Sequence, residues 1–173
     1  MRRPTPLIET LPADAPASDR ADKLHLYAWL IGHWTMDAFI HGDSGIVREG
    51  RGEIHAGWVL QGRAIQDVWI LPDFFYGTTL RVYDPALEAW HILWSDPLKQ
   101  YYTRQLGRAR GKDIVQEGRT DTGTPVRWSF TEITPHSFRW RGEASGDGGL
   151  TFRLQSEFLA RRAAEQAPNN ASS

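Results

Sequence analysis

The chain has 173 residues, the length of one compact domain, and no cysteine, which excludes disulfide frameworks, thiolate zinc sites, iron–sulfur clusters and cysteine nucleophiles. Its 20 Lys and Arg against 21 Asp and Glu leave a formal net charge of −1, so no global field draws it to nucleic acid or to an anionic membrane. Eight Trp, seven Phe and five Tyr fit an aromatic-rich interior, and 16 Gly with 10 Pro fit a chain that turns often.

Residues 1–20 carry four prolines among small and polar residues, the composition of a tail that is disordered or loosely docked, through Leu7, Ile8 and Leu11 if at all. Residues 163–173 end in Gln, Pro, Asn and Ser and read as a second disordered tail. A single domain over 21–162 is expected between them. No apolar run approaches the roughly 20 residues of a membrane span, and the first residues lack the apolar stretch of a signal peptide, so a cytoplasmic protein with no membrane partner is expected.

Leu24, Tyr27, Ala28 and Ile31 recur at three- and four-residue spacing behind Asp19 or Asp22 as N-cap, which predicts a short helix ending at Gly32. Thereafter the pattern has period two. Runs rich in Val, Ile, Trp, Tyr, Phe and Thr predict strands at Trp34–His41, Ile46–Ala56, Arg63–Leu71, Tyr76–Tyr83, Trp90–Ser95, Gln100–Arg108, Asp113–Arg119, Val126–Ile133, Ser137–Glu143 and Leu150–Ala160. The connectors between them are too short for parallel crossovers, so the fold class is all-β, an antiparallel meander of about ten strands. Such a meander closes into a barrel because closure removes its exposed edges.

The residues worth singling out are polar side chains on apolar faces. Asp67 alternates with Ile65 and Trp69, Glu132 follows Trp128 and Phe130, Asp96 follows Trp94, and Arg48 shares parity with Ile46 and Ile54. A buried carboxylate needs a partner, so Arg48 or Arg63 is expected to pair with Asp67 or Glu132. The same groups, with Tyr83, Tyr101, Tyr102 and Arg104, could instead present polar contacts to a ligand. An enzymatic version makes Asp67 or Glu132 a general acid/base. Trp90 and Trp94 pointing inward would turn His91 outward.

Four blocks occur in order: Leu30-Ile31-Gly32-His33-Trp34-Thr35, Gly57-Trp58-Val59-Leu60-Gln61-Gly62-Arg63, Tyr83-Asp84-Pro85, and Trp90 and Trp94 with Ser95-Asp96. Together they resemble a bacterial family of uncharacterised lipocalin-like barrels, similar in plan to the nitrobindins and fatty-acid-binding proteins of the calycin superfamily. The resemblance spans Leu24 to Arg161. It implies a calycin-like barrel with a short N-terminal helix, in which Trp34 plugs the closed end and Gly32 lets the chain turn beneath it.

Nitrobindins hold haem through a histidine on strands near the C-terminus, and this chain departs from them. Leu150–Ala160 has no histidine, and His136 sits in a turn after Pro135, so haem is not expected. His25, His33, His41, His55 and His91 form no His-x-His or His-Glu-x-x-His spacing; three could still converge from separate strands, but without a local ligand pair neither metal nor cofactor is expected. Phosphate loops, dinucleotide glycines and hydrolase elbows are absent. The arginines of Arg104–Arg110 read as a solvated strand face rather than a nucleic-acid stripe.

The expected function is therefore binding of a small lipophilic or aromatic molecule in the barrel. Arg48, Arg63, Trp69, Tyr83, Trp90, Trp94, Tyr101, Trp128, Phe130 and Trp140 are the expected ligand contacts. The alternatives are a cofactor-independent lyase, isomerase or hydratase using Asp67 or Glu132, and a filled structural module, with a homodimer as an open possibility.

Overall fold

The computed structural model describes residues 6–164. The ends of the two expected tails, 1–5 and 165–173, lie outside the described residues. A five-residue helix, α1 (Pro6–Thr10), and a two-residue strand, β1 (Pro12–Ala13), precede ten longer strands. These are β2 (Gly32–His41), β3 (Val47–Val59), β4 (Ala64–Leu71), β5 (Phe75–Asp84), β6 (Ala89–Asp96), β7 (Tyr101–Arg110), β8 (Asp113–Thr120), β9 (Pro125–Thr131), β10 (Ser137–Ala144) and β11 (Arg153–Arg162). Each pairs antiparallel with the next, and β11 returns to β2 from Ser156 opposite Ile40 to Arg162 opposite Trp34. The sheet is a closed ten-stranded meander. Among the described residues no helix is long and apolar enough to cross a membrane.

The expected helix is a 3-10 helix, His25–Leu30. With three residues per turn, Leu24, Tyr27 and Leu30 align on one face, and all three are fully buried as the plug of one barrel end. Ala28 and Ile31, which the four-residue spacing placed with them, are only half-buried. Neither Asp19 nor Asp22 caps this helix; its N-cap, Leu24, makes no side-chain bond.

At Gly32 the chain enters β2 with φ +121, and a Cβ there would lie 2.7 Å from Arg162 Nη1. Only glycine fits that turn comfortably. Two residues on, Trp34 is fully buried and donates its indole N–H to Leu30 O at 2.8 Å. Arg162 stacks over its ring at 4.1 Å and donates to the carbonyls of Trp29, Ile31 and Pro135. One guanidinium thus ties the plug, the first strand and the β9–β10 turn together.

The N-terminal segment is docked through its backbone. β1 pairs Pro12 with Val59 and Ala13 with Trp58 on the end of β3, Leu60 N donates to Leu11 O, and Ala17 N donates to Gly62 O. Leu7 and Ile8, the expected anchors, are exposed.

Three strand ends differ from the sequence pattern. Arg63 lies in the turn before β4, where it pairs with Asp19 at 3.0 Å. β9 stops at Thr131, because Glu132 adopts φ 52 and turns out of the ladder. β11 begins at Arg153, leaving Leu150 exposed, and the register against β10 shifts between Gly142 and Glu143. Gln155 is the extra residue of that bulge, so strict alternation does not carry through the expected strand Leu150–Ala160.

Replacing Trp34 by Ala removes the plug's largest side chain and is expected to cost about 3–5 kcal/mol. Urea denaturation of the two proteins measures this, and a loss below ~1 kcal/mol would show that Trp34 does not hold the closed end.

Candidate functional site

The inward residues of the ten strands fill the barrel in layers. At the closed end Tyr27, Trp34, Trp90, Ile92, Phe130 and Phe138 form a packed aromatic cluster, with Tyr27 5.1 Å from Trp90 and Trp34 4.9 Å from Phe138. A Cβ at position 107 would lie 2.3 Å from the Tyr27 hydroxyl, so Gly107 makes room for it. That hydroxyl donates to Gln116 Oε1 at 2.9 Å.

Polar residues sit above this cluster although they are buried: Asp67, Thr79, Arg81, Gln105 and Gln116. Asp67 accepts from Arg81 Nη1 in a fully buried ion pair and from the backbone N–H of Thr79 at 3.1 Å. The Arg81 guanidinium also lies 5.2 Å from the Tyr27 ring and 5.8 Å from the Phe130 ring. The Asp67 carboxylate is thus met by Arg81 and the Thr79 N–H, and the guanidinium by Asp67 and two aromatic rings.

The open half of the lumen is a cavity of about 490 Å³. Its walls are Trp69, Phe75, Trp94, Trp128, Trp140 and Phe158, and Thr79 and Arg81 reach it from the polar layer. Trp140 and Phe158 stack at 4.7 Å, while Trp128 meets both Trp94 and Trp140 edge-on. Asp96, Lys99, Tyr101, Thr122, Glu143 and Gln155 stand around the mouth. Asp96 Oδ1 accepts the N–H groups of Leu98 and Lys99, which shapes the β6–β7 turn. Two buried donors of the wall, Trp69 Nε1 and Arg81 Nε, have no hydrogen-bond partner among the described residues. Behind the wall, Gln105 Oε1 and Gln116 Nε2 are likewise unpartnered.

Of the expected ligand contacts, Trp69, Trp94, Tyr101, Trp128 and Trp140 line the cavity. Trp90 and Phe130 point inward but belong to the packed end, and half-buried Tyr83 lies 5.8 Å from Trp90 on the same side. Arg48 is exposed at the rim, with its guanidinium 4.5 Å from the Phe74 ring. Arg63 is outside the barrel altogether. Glu132 is exposed and pairs with Arg139 at 3.6 Å, so it never meets Asp67. Tyr102 bonds Gln100 on the exposed side and Arg104 is exposed, so the wider polar cluster is not assembled.

Arg81, the actual partner of Asp67, was missed because Thr78, Leu80 and Val82 look like the apolar face of β5. The inward set is Phe75, Gly77, Thr79, Arg81 and Tyr83. The two aromatics at its ends were the available signal. Gln105 and Gln116 carried no signal beyond their parity.

His91 does face outward, bonding Asp84 at 2.9 Å. Among the described residues no histidine lines the cavity.

No family model matches the chain, and no curated protein matches it. Solved structures do. Rv2717c from M. tuberculosis superposes with a TM-score of 0.59 at 12% identity, over 86% of this chain and 99% of that one. The S-type phycobiliprotein lyase CPES from Guillardia theta gives 0.54 at 12% identity, over 88% and 99%. The likeness is one of fold: this chain is a lipocalin-like, ten-stranded barrel.

Replacing Arg81 by Met strands the Asp67 carboxylate and is expected to destabilise the protein by about 3–5 kcal/mol, while Asp67→Leu combined with Arg81→Met costs less than Arg81→Met alone. Denaturant unfolding of the three proteins decides it; a double variant as unstable as the single one would refute the pairing. Burial pushes the Tyr27 phenol above its ordinary value of 10.0. The unfolded chain then loses that proton first, so stability falls as pH rises past about 10. Tyr27→Phe should flatten this alkaline decline, and an unchanged slope would assign it elsewhere.

Proposed function

We propose that the barrel binds one small, flat, mostly apolar molecule that carries a hydrogen-bond acceptor at its inner end. The observation that carries this reading is a cavity of about 490 Å³ walled by four tryptophans and three phenylalanines, which Thr79 and Arg81 reach from the polar layer. Ligand pockets of roughly 300–1,000 Å³ are built in this way, from aromatic walls with a few placed polar groups. A carbonyl, ether or carboxylate oxygen on a ligand would find its donors in the Thr79 and Arg81 side chains at that end.

The ring edges and faces presented by Trp94, Trp128, Trp140 and Phe158 favour an aromatic or planar conjugated guest over a flexible chain. Asp67 already neutralises Arg81, so a neutral acceptor suffices. The two structural neighbours, at 12% identity, contribute the fold and no ligand. The acid/base reading has no assembled site, because Asp67 is held by Arg81 and Thr79 while Glu132 lies on the outside.

Native mass spectrometry of freshly purified protein, followed by thermal shift against planar aromatic ketones, planar hydrocarbons and fatty acids, tests the proposal. A one-to-one complex is expected with the aromatic ketones. At a ligand excess of 100 Kd the stabilisation is about 2.7 kcal/mol. Ser156→Trp, which fills the cavity from β11, should abolish the shift. No copurified molecule and no shift with any class would overturn the reading.

A further inference from the structure

On the opposite surface of the wall, the pairing of β2 with β3 sets His33 across from His55 and Thr35 across from Glu53. His33, Glu53 and His55 therefore leave the outer face of the barrel at adjoining positions. The two imidazoles stack with centroids 4.2 Å apart and planes 17° apart. Their Nε2 atoms converge on a single carboxylate oxygen, Glu53 Oε2, at 3.0 Å from His33 and 2.8 Å from His55. One ligand atom from each residue falls within 4.8 Å of the others.

We propose that His33, Glu53 and His55 form a divalent-cation site on the outside of the barrel, suited to zinc and similar borderline metals. At bond lengths of about 2.0–2.1 Å, neighbouring ligands of an octahedral or tetrahedral ion stand roughly 2.8–3.4 Å apart; both Nε2–Oε2 separations already fall in that range, and side-chain rotation turns the three groups toward a common ion. The three side chains are partly exposed, which leaves them free to make that adjustment. Two imidazoles and one carboxylate favour zinc, copper, nickel or iron over calcium and magnesium, whose sites are built from oxygen.

The remaining coordination positions face solvent beside a shallow groove that includes His33, Thr35, Arg51, Glu53 and Arg161. Asp37 engages both arginines, at 3.6 Å from Arg51 and 3.3 Å from Arg161, which tempers their repulsion of a cation. The site is separate from the lumen, so its fate does not depend on the ligand proposed above.

The test is calorimetric titration of the full, untagged, chelator-treated chain with zinc chloride, with cobalt(II) visible absorption as a spectroscopic check. One zinc per chain is expected. Losing an outer-shell partner alone weakens metal sites by about 10–100-fold, so His33→Ala, His55→Ala and Glu53→Gln should each weaken binding at least roughly tenfold. His136→Ala, in an exposed turn, should leave it unchanged. Circular dichroism verifies that each variant folds; all three substitutions lie on the partly exposed outer surface. Absence of one-to-one binding, or affinity kept within about twofold in any of the three variants, overturns the proposal.

Discussion

The structure depends on closure: β11 must pair with β2 along its length for the meander to have an inside at all. Once that seam forms, every alternate residue on ten strands points into one lumen, and the lumen's contents decide what the protein can do. The same seam brings Arg162 across from Trp34, where its guanidinium stacks on the indole and bonds three carbonyls of the plug and the neighbouring turn. The closed end is therefore fastened by the last strand, although its bulk comes from a 3-10 helix that precedes the first.

Between the sealed end and the mouth lies a layer that a simple apolar core would not contain. An ion pair, two glutamines and a tyrosine hydroxyl are buried together there. Buried pairs of this kind rarely add stability compared with packed hydrocarbon. Their presence makes physical sense as a floor that holds polar atoms at a fixed height beneath an aromatic chamber. Where Thr79 and Arg81 reach the cavity they give its lining polar groups among the aromatic rings.

Much of the fold was legible because β-strands print their burial on the sequence with period two. Trp69, Trp94, Trp128 and Trp140 stand on such alternations, and all four line the cavity. The pattern failed where the backbone left the ladder. Arg63 preceded its strand, Glu132 followed a break at positive φ, and Gln155 was a bulge residue. It also failed at Arg81, where both faces of β5 carried apolar residues and the charged one pointed inward because Asp67 was waiting there. The trio of His33, Glu53 and His55 was invisible for another reason: no local spacing unites residues on two strands until a register is known.

What the sequence determined alone was the class of architecture. Alternating hydrophobicity, short connectors and abundant aromatics are local properties, and together they demand a closed antiparallel sheet with aromatic rings inside. The tertiary structure alone decided which charges meet, how much of the lumen stays empty, and which surface groups converge. Those outcomes depend on strand register and on bulges. A shift of one residue exchanges the inner and outer faces of a whole strand, and nothing in the spacing of a single strand records it.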